Sequence, residues 1–273
     1  MTGTLYLVGT PIGNLGDMSD RARETLASVD LIAAEDTRRT GRLLSSFGIK
    51  APLISYFEGN EQGRTEQVLA ELQAGKNVAL VSDAGMPGLS DPGFRLVRAC
   101  VEKGLEVGVV PGPSAAVAAL VVSGLSTDRF VFEGFLPRRA GDRRDRLAAL
   151  TGERRTIVLF ESARRVRPTL EELRDALGER RVAVVRELTK LHEEVIRGSI
   201  SEVLRALGRR ELKGEVVLVL EGAVDDDDPG DDALRADARA LVEAGARKRD
   251  AAAEVAHRHG VSVNRIYRLL VQR

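Results

Sequence analysis

Four short polar clusters in this chain carry groups suited to holding a small molecule, and each follows an apolar run. Gly9-Thr10-Pro11-Ile12-Gly13-Asn14-Leu15 follows Leu5–Val8, and Glu35-Asp36-Thr37-Arg38 follows Leu31–Ala34. Ser82-Asp83-Ala84-Gly85-Met86-Pro87 follows Val78–Val81, and Pro111-Gly112-Pro113-Ser114-Ala115 follows Glu106–Val110. The Asp83 carboxylate can accept hydrogen bonds from hydroxyl or amino groups, while Gly85 and Gly88 let backbone approach a ligand closely. Glu35-Asp36 can do the same work or simply cap the next helix. Arg186, Glu187 and Lys190 follow a further apolar run, where charge is costly unless it is used. The first cluster is neither a GxGxxG nor a Walker sequence, which disfavours NAD and ATP.

The runs that precede these clusters read as strands. Val78–Val81 has no polar alternation, so it is expected to be buried on both faces, as in a parallel sheet covered by helices. Such sheets bind ligands beyond their carboxyl ends. Helical spacing fills the gaps between the strands, over Ser19–Val29, Thr40–Phe47, Glu61–Gln73 and Gly93–Lys103, the last with Asp91-Pro92 as N-cap and first-turn proline. Residues 1–122 therefore predict an α/β domain with a parallel sheet. Residues 123–224 predict a second α/β domain, with strands Phe130–Phe135, Thr156–Phe160, Val182–Arg186 and Glu215–Leu220. Residues 225–232 (DDDDPGDD) read as an exposed acidic linker. Residues 233–273 read as a small helical domain with helix-turn-helix spacing, whose apolar stripe suits docking on RNA or on the body of the protein.

Composition sets the outer bounds. Hydrophobic content of 43% and charged content of 30% over 273 residues fit a soluble globular protein. No apolar run reaches the roughly 18 residues of a membrane span, and the amino terminus reads as a strand rather than a signal peptide, so a cytoplasmic protein is expected. Cys100 has no partner and reads as core filler. No metal-ligand cluster is evident. Net charge is zero, yet Arg138–Arg186 holds fourteen arginines against eight acids. Within it Arg138, Arg139, Arg143 and Arg144 follow the turn Gly134-Phe135-Leu136-Pro137. Guanidinium groups grip phosphate bidentately, so this segment is a candidate nucleic-acid surface; a solvated helix face is the alternative.

Taken together the motifs resemble a known family. GTPIGNL at Gly9–Leu15, EDTR at Glu35–Arg38, SDAGMPGLSDPG at Ser82–Gly93, PGPSA at Pro111–Ala115, GFLPR at Gly134–Arg138 and RELTKLHEE at Arg186–Glu194 are similar to the tetrapyrrole-methylase superfamily. Within it they resemble the branch that 2′-O-methylates a cytidine in the decoding region of 16S rRNA. The resemblance implies two α/β domains, S-adenosylmethionine bound in the cleft between them, the 30S subunit as partner, and a homodimer. Carried over by position, the cofactor contacts are Pro11, Asp83, Ala84, Gly85, Met86, Ser114, Ala115, Phe160 and Leu188.

A ribose hydroxyl is a weak nucleophile, so a base or a cation for the developing alkoxide would help an in-line displacement. Glu35, Asp36, Arg38, Arg186, Glu187 and Lys190 are the candidates, with Glu133 and Glu161 behind them. At Glu161-Ser162-Ala163-Arg164 the family run ESPHR lacks its proline and histidine, so no catalytic histidine is assigned. Two other readings remain: a small-molecule methylase of the same fold acting on a tetrapyrrole, and a ligand-sensing regulator whose terminal helices read DNA.

Overall fold

A computed structural model describes residues 1–208, 210–223 and 229–271. Strands β1 (Thr4–Val8), β2 (Leu31–Ala34), β3 (Leu53–Ser55), β4 (Val78–Val81) and β5 (Glu106–Val110) form a wholly parallel sheet in the order β3-β2-β4-β1-β5. Its central strand β4 explains the unbroken apolar run. Val78 and Leu80 pack into one cluster with Leu72 of α3 (Glu61–Gln73) and Leu96 of α4 (Phe94–Glu102). Ala79 and Val81 pack into the opposite cluster with Leu26 of α1 (Asp20–Ser28) and Leu44 of α2 (Thr37–Ser46). With both faces buried, β4 can place polar groups only beyond its end.

A second sheet is mixed. Strands β6 (Phe130–Phe135), β7 (Thr156–Ser162), β8 (Arg181–Arg186), β9 (Glu194–Ser199) and β10 (Glu215–Leu220) run in the order β6-β7-β10-β8-β9, with only β6 and β7 parallel. One face carries α6 (Ala140–Ala149), α7 (Val166–Leu177) and α8 (Ile200–Leu207), which bury Leu147, Leu170 and Ile200 against Leu159, Val184 and Leu218. The other face is covered by α5 (Ala115–Ser123), whose Ala116, Ala119 and Leu120 meet Val158, Ala183 and Val217. Because α5 leaves the carboxyl end of β5, it ties the second sheet to the loops of the first, and Met1–Gly222 is one compact unit. The division expected near Ser123 falls at the end of this shared helix.

Several elements depart from the sequence expectations. Helix α2 starts at Thr37 rather than Thr40, because the Asp36 side chain accepts the N–H groups of Arg38 and Arg39 and so caps it. Helix α4 starts at Phe94 with Gly93 as N-cap and no side-chain cap, so Asp91 is not the capping residue. Glu61 reaches across from α3 to accept the Gly93 N–H at 2.9 Å, which leaves Asp91 available elsewhere. Strand β9, an edge strand, was not expected.

Ala223–Arg273 is a second unit with its own core. The expected acidic linker, residues 225–232, lies outside the described residues over 225–228. Gly230–Asp232 instead begin helix α9 (Gly230–Glu243), with Asp231 and Asp232 in its first turn, where carboxylates complement the positive end of the helix. Leu234 and Ala238 of α9 pack with Val255 of α10 (Lys248–His259) and with Ile266 and Leu269 of α11 (Val263–Val271). Most of the apolar stripe read as a docking face is thus consumed within this unit.

Candidate active site

The four loops expected at the carboxyl ends of β1, β2, β4 and β5 meet through their backbones. Thr10 and Gly85 exchange hydrogen bonds at 2.9 and 3.1 Å, and the Gly9 N–H donates to the Val110 carbonyl at 3.0 Å. Gly9 and Gly112 are so close that a Cβ on Gly112 would stand 2.8 Å from the Gly9 backbone, so neither position has room for a side chain. Carboxylates join the β2 and β4 loops reciprocally. The Asp83 N–H donates to Glu35 Oε2, and the Asp36 N–H donates to Asp83 Oδ1, both at 3.1 Å. Arg39 closes the group with a 3.0 Å ion pair to Asp83 Oδ2.

Between these loops and the inner face of the second sheet lies a cavity of about 430 Å³. Asp83, Ala84, Gly85, Met86, Ser114, Ala115, Phe160 and Leu188 all line it, together with Ile12, Val185 and Val217. Pro11 does not; it lines an adjoining hollow that shares Asp83 and Arg39 as its wall. Glu35, Arg39, Asp91 and Glu215 add charge to the main cavity. Burial holds the Glu35 carboxyl above its ordinary value, against the bond from the Asp83 N–H. The Asp91 carboxyl is pushed up to about 6, first by burial and then by the charge of Glu35. Two carboxylates with raised affinity for a proton therefore face one cavity.

The remaining sequence candidates divide. Asp36 and Arg38 do not line the cavity: Asp36 caps α2 and forms a 2.9 Å pair with Arg38, whose side-chain bonds hold the carboxyl well below the usual range. Arg186 also stays outside, pairing with Glu194 at 3.2 Å and donating to the Lys213 carbonyl. Glu187 and Lys190 stand at the rim. Lys190 Nζ bonds Glu187 at 3.0 Å and Glu215, a lining residue, at 2.9 Å. Burial opposes both charges, yet the Glu215 N–H and the ammonium keep the Glu187 carboxyl below its ordinary value. Glu133 is bonded by Arg146 at 2.6 Å. Glu161, buried but on the cavity wall, accepts from Thr169 at 2.7 Å and from the Ser162 N–H at 2.8 Å, so both carboxylates are tied by local bonds.

Backbone strain gathers at the same place. Among the described residues the non-glycine positions with positive φ are Ser90 (63°), Glu187 (52°) and Thr189 (64°). Ser90 lines the cavity, and the other two flank Leu188, which does. The Thr189 hydroxyl is buried without a hydrogen-bond partner. Strain and unmet polar groups cost stability and persist where the surrounding structure enforces them, typically at ligand sites.

The arginine segment borders a separate groove between α6 and α7, lined by Arg138, Arg144 and Arg165. Arg139 lies outside it, at the N-cap of α6. Arg143 is a correction: it is only 7% exposed, donates to Thr169 at 2.8 Å, pairs with Glu172 and stands 3.9 Å from Glu161. It lies one turn before buried Leu147 and two before Leu150, so its inward face was readable from helical spacing. Asp91, Arg39, Glu215 and Phe135 were missed as lining residues; Asp91 was hidden by a capping signature that the helix does not use.

The sequence profile of the family described as Tetrapyrrole (Corrin/Porphyrin) Methylases matches residues 4–204. The chain belongs to the tetrapyrrole methylase family. A relative from Synechocystis sp., named Ribosomal RNA small subunit methyltransferase I, is 49% identical over 99% of this chain and 98% of its own length. One of the same name from Escherichia coli O157:H7 is 48% identical over 99% and 95%. A solved uroporphyrin-III-C-methyltransferase from Thermus thermophilus shares the fold alone, with a TM-score of 0.58 and 22% identity over 80% of this chain and 94% of its own.

In this tetrapyrrole methylase, Asp91 gives a pH-dependent signature. Between its ordinary value of 3.8 and about 6 the folded state binds its proton more tightly than the unfolded chain, so stability from this group is full below pH 4 and lost as pH rises through 6. Asp91→Asn removes that loss. Urea denaturation should show Asn gaining on Asp between pH 4 and pH 7.5 by on the order of 1–2 kcal/mol, allowing for partial solvent screening; a difference that stays flat with pH would contradict it.

Proposed function

We propose that this chain transfers a methyl group from S-adenosylmethionine to the 2′-hydroxyl of a cytidine in 16S rRNA, in the decoding region of the small ribosomal subunit. What carries the reading is near-full-length similarity, at 48–49% identity, to proteins named for methylating small-subunit ribosomal RNA. The cavity is compatible with the donor. About 430 Å³ of mostly apolar space falls in the range of small-molecule sites, and its carboxylates suit a molecule with a sulfonium, an ammonium and ribose hydroxyls.

Asp83 to Met86, Ser114, Ala115, Phe160 and Leu188 would hold the donor. When bound, S-adenosylmethionine supplies an electrophilic methyl group on a positively charged sulfur. The chain's own task is to align the acceptor oxygen and exclude water. Asp91 and Glu35 are the carboxylates offered to accept the hydroxyl proton, and at neutral pH Asp91 is in the ionised form that this requires. Lys190 is held by Glu187 and Glu215 at the rim, where two carboxylates neutralise its charge and it braces the loop around Leu188. Arg138, Arg139 and Arg144 would grip phosphate.

Two further parts of the proposal follow from the surface. Val117 and Val121, 49% and 67% exposed, lie one turn apart on α5 and suit contact with a second copy, as a homodimer requires. No helix among the described residues is long and apolar enough to cross a membrane, and the cytoplasm is where assembling small subunits would be met.

The purified chain, incubated with S-adenosylmethionine and unmethylated 30S subunits, should add one methyl mass to a cytidine ribose in a decoding-region fragment of 16S rRNA; transfer elsewhere, or none, rejects the proposal. The two neighbouring arginines should behave differently. Arg144→Glu should weaken subunit binding roughly tenfold or more with unchanged stability, since each phosphate contact adds to affinity. Arg143→Ala should instead lower stability by about 1–3 kcal/mol, by removing a buried guanidinium that bonds Thr169 and Glu172. Equal effects in filter binding and denaturation would remove the distinction.

A further inference from the structure

One aromatic side chain at the cavity is placed at evident cost. Phe135 is 57% exposed, in a chain with only seven phenylalanines, three tyrosines and no tryptophan. Along β6 the pairing with β7 runs Phe132↔Val158, Gly134↔Leu159 and Phe135↔Phe160, so Glu133 is an extra residue in a bulge. Strict alternation would put Phe132 and Phe135 on opposite faces; a bulge of one residue returns Phe135 to the face of Phe132. Both rings consequently meet Phe160, at 4.9 and 5.6 Å between centroids. Gly134 makes this possible with φ of 61°, a conformation that side chains rarely adopt.

The same bulge touches the loop after β4. A Cβ on Gly134 would come within 3.0 Å of Ser90 Oγ, and Ser90 is itself strained. This contact brings Leu89, 41% exposed, to the same mouth as Phe135, and both line the cavity. The cavity therefore has two ends. Its interior is walled by buried or half-buried Gly85, Ala115, Val185 and Leu188, whereas Leu89 and Phe135 form an exposed apolar lip beside Ser90 and Asp91. A free donor can enter the interior. A nucleotide still joined to a large RNA can reach only the lip.

We infer that Phe135, with Leu89 beside it, is the platform on which the base of the acceptor nucleotide stacks, holding its ribose toward the interior of the cavity. A flat, exposed ring backed by a second ring matches the way proteins hold unstacked bases, and an aromatic face suits a base without needing hydrogen bonds to it. Phe135 is thus a positioning residue for the acceptor. The inference rests on the RNA-methylating reading above and specifies where that substrate docks.

The test is steady-state methyl transfer to 30S subunits, together with equilibrium dialysis of S-adenosylmethionine, for wild type and for Phe135→Ala, Phe135→Leu and Phe135→Tyr. Stacking predicts that Ala and Leu lower kcat/KM for subunits by on the order of 10- to 100-fold, that Tyr restores it to within about threefold, and that donor affinity stays within about twofold in all three. Full activity in the Leu variant would reduce the ring to apolar packing. Donor affinity falling in step with activity would make Phe135 a wall of the donor site. Either result overturns the platform while leaving the RNA-methylating reading intact. An inactive wild type, by contrast, defeats that reading and the platform with it.

Discussion

The packing of α5 against the inner face of the second sheet is the constraint on which the cavity depends. The helix begins at Ala115, directly after the β5 loop, and its small residues let Val158, Ala183, Val217 and Val219 approach closely. Ile12 of the first loop and Leu188 of the strained β8–β9 connection join the same cluster. Loops from one sheet and strands from the other are thereby fixed at a set spacing, with room left between them for a small molecule. Large side chains along α5 would fill that room.

Electrostatics then gives the cavity its character. Glu35, Asp83 and Asp91 crowd together with Arg39 as the cation paired to Asp83, and burial leaves two of these carboxylates holding protons more tightly than usual. Such an arrangement is unfavourable for an empty protein and favourable for one that receives a cationic ligand. Other carboxylates at the cavity's wall and rim are tied to cations: Glu161 to Arg143 and Arg165, with Thr169 donating to it, and Glu187 to Lys190. Burial of Glu35 and Asp91, neither held among the described residues by an ion pair as close as these, is what distinguishes the site from the ion pairs around it.

Much of this was legible in the sequence, for physical reasons. An unbroken apolar run such as Val78–Val81 has few interpretations, and a polar cluster at its end marks a sheet edge where ligands bind. Asp83 to Gly85 as cavity-lining residues followed from that pattern, and Met86, Ser114, Ala115, Phe160 and Leu188 from the family motifs. What escaped depended on contacts distant in sequence. Asp91-Pro92 has the local signature of a helix start, but Glu61, thirty-odd residues earlier, takes the Gly93 N–H and shifts the start to Phe94. Phe135 escaped because a one-residue bulge inverts the side-chain alternation on which strand reading relies. Asp36 and Arg38 were motif residues that do not line the cavity: Asp36 caps α2 and pairs with the exposed Arg38.

The claim most exposed to test is that the space between the β4 and β5 loops and the second sheet receives the sulfonium donor. A crystal structure with S-adenosylhomocysteine bound would decide it. The ligand is expected between the backbone of Asp83–Gly85, the start of α5 at Ser114-Ala115, and the Phe160 ring; density for it anywhere outside that cavity would contradict the assignment.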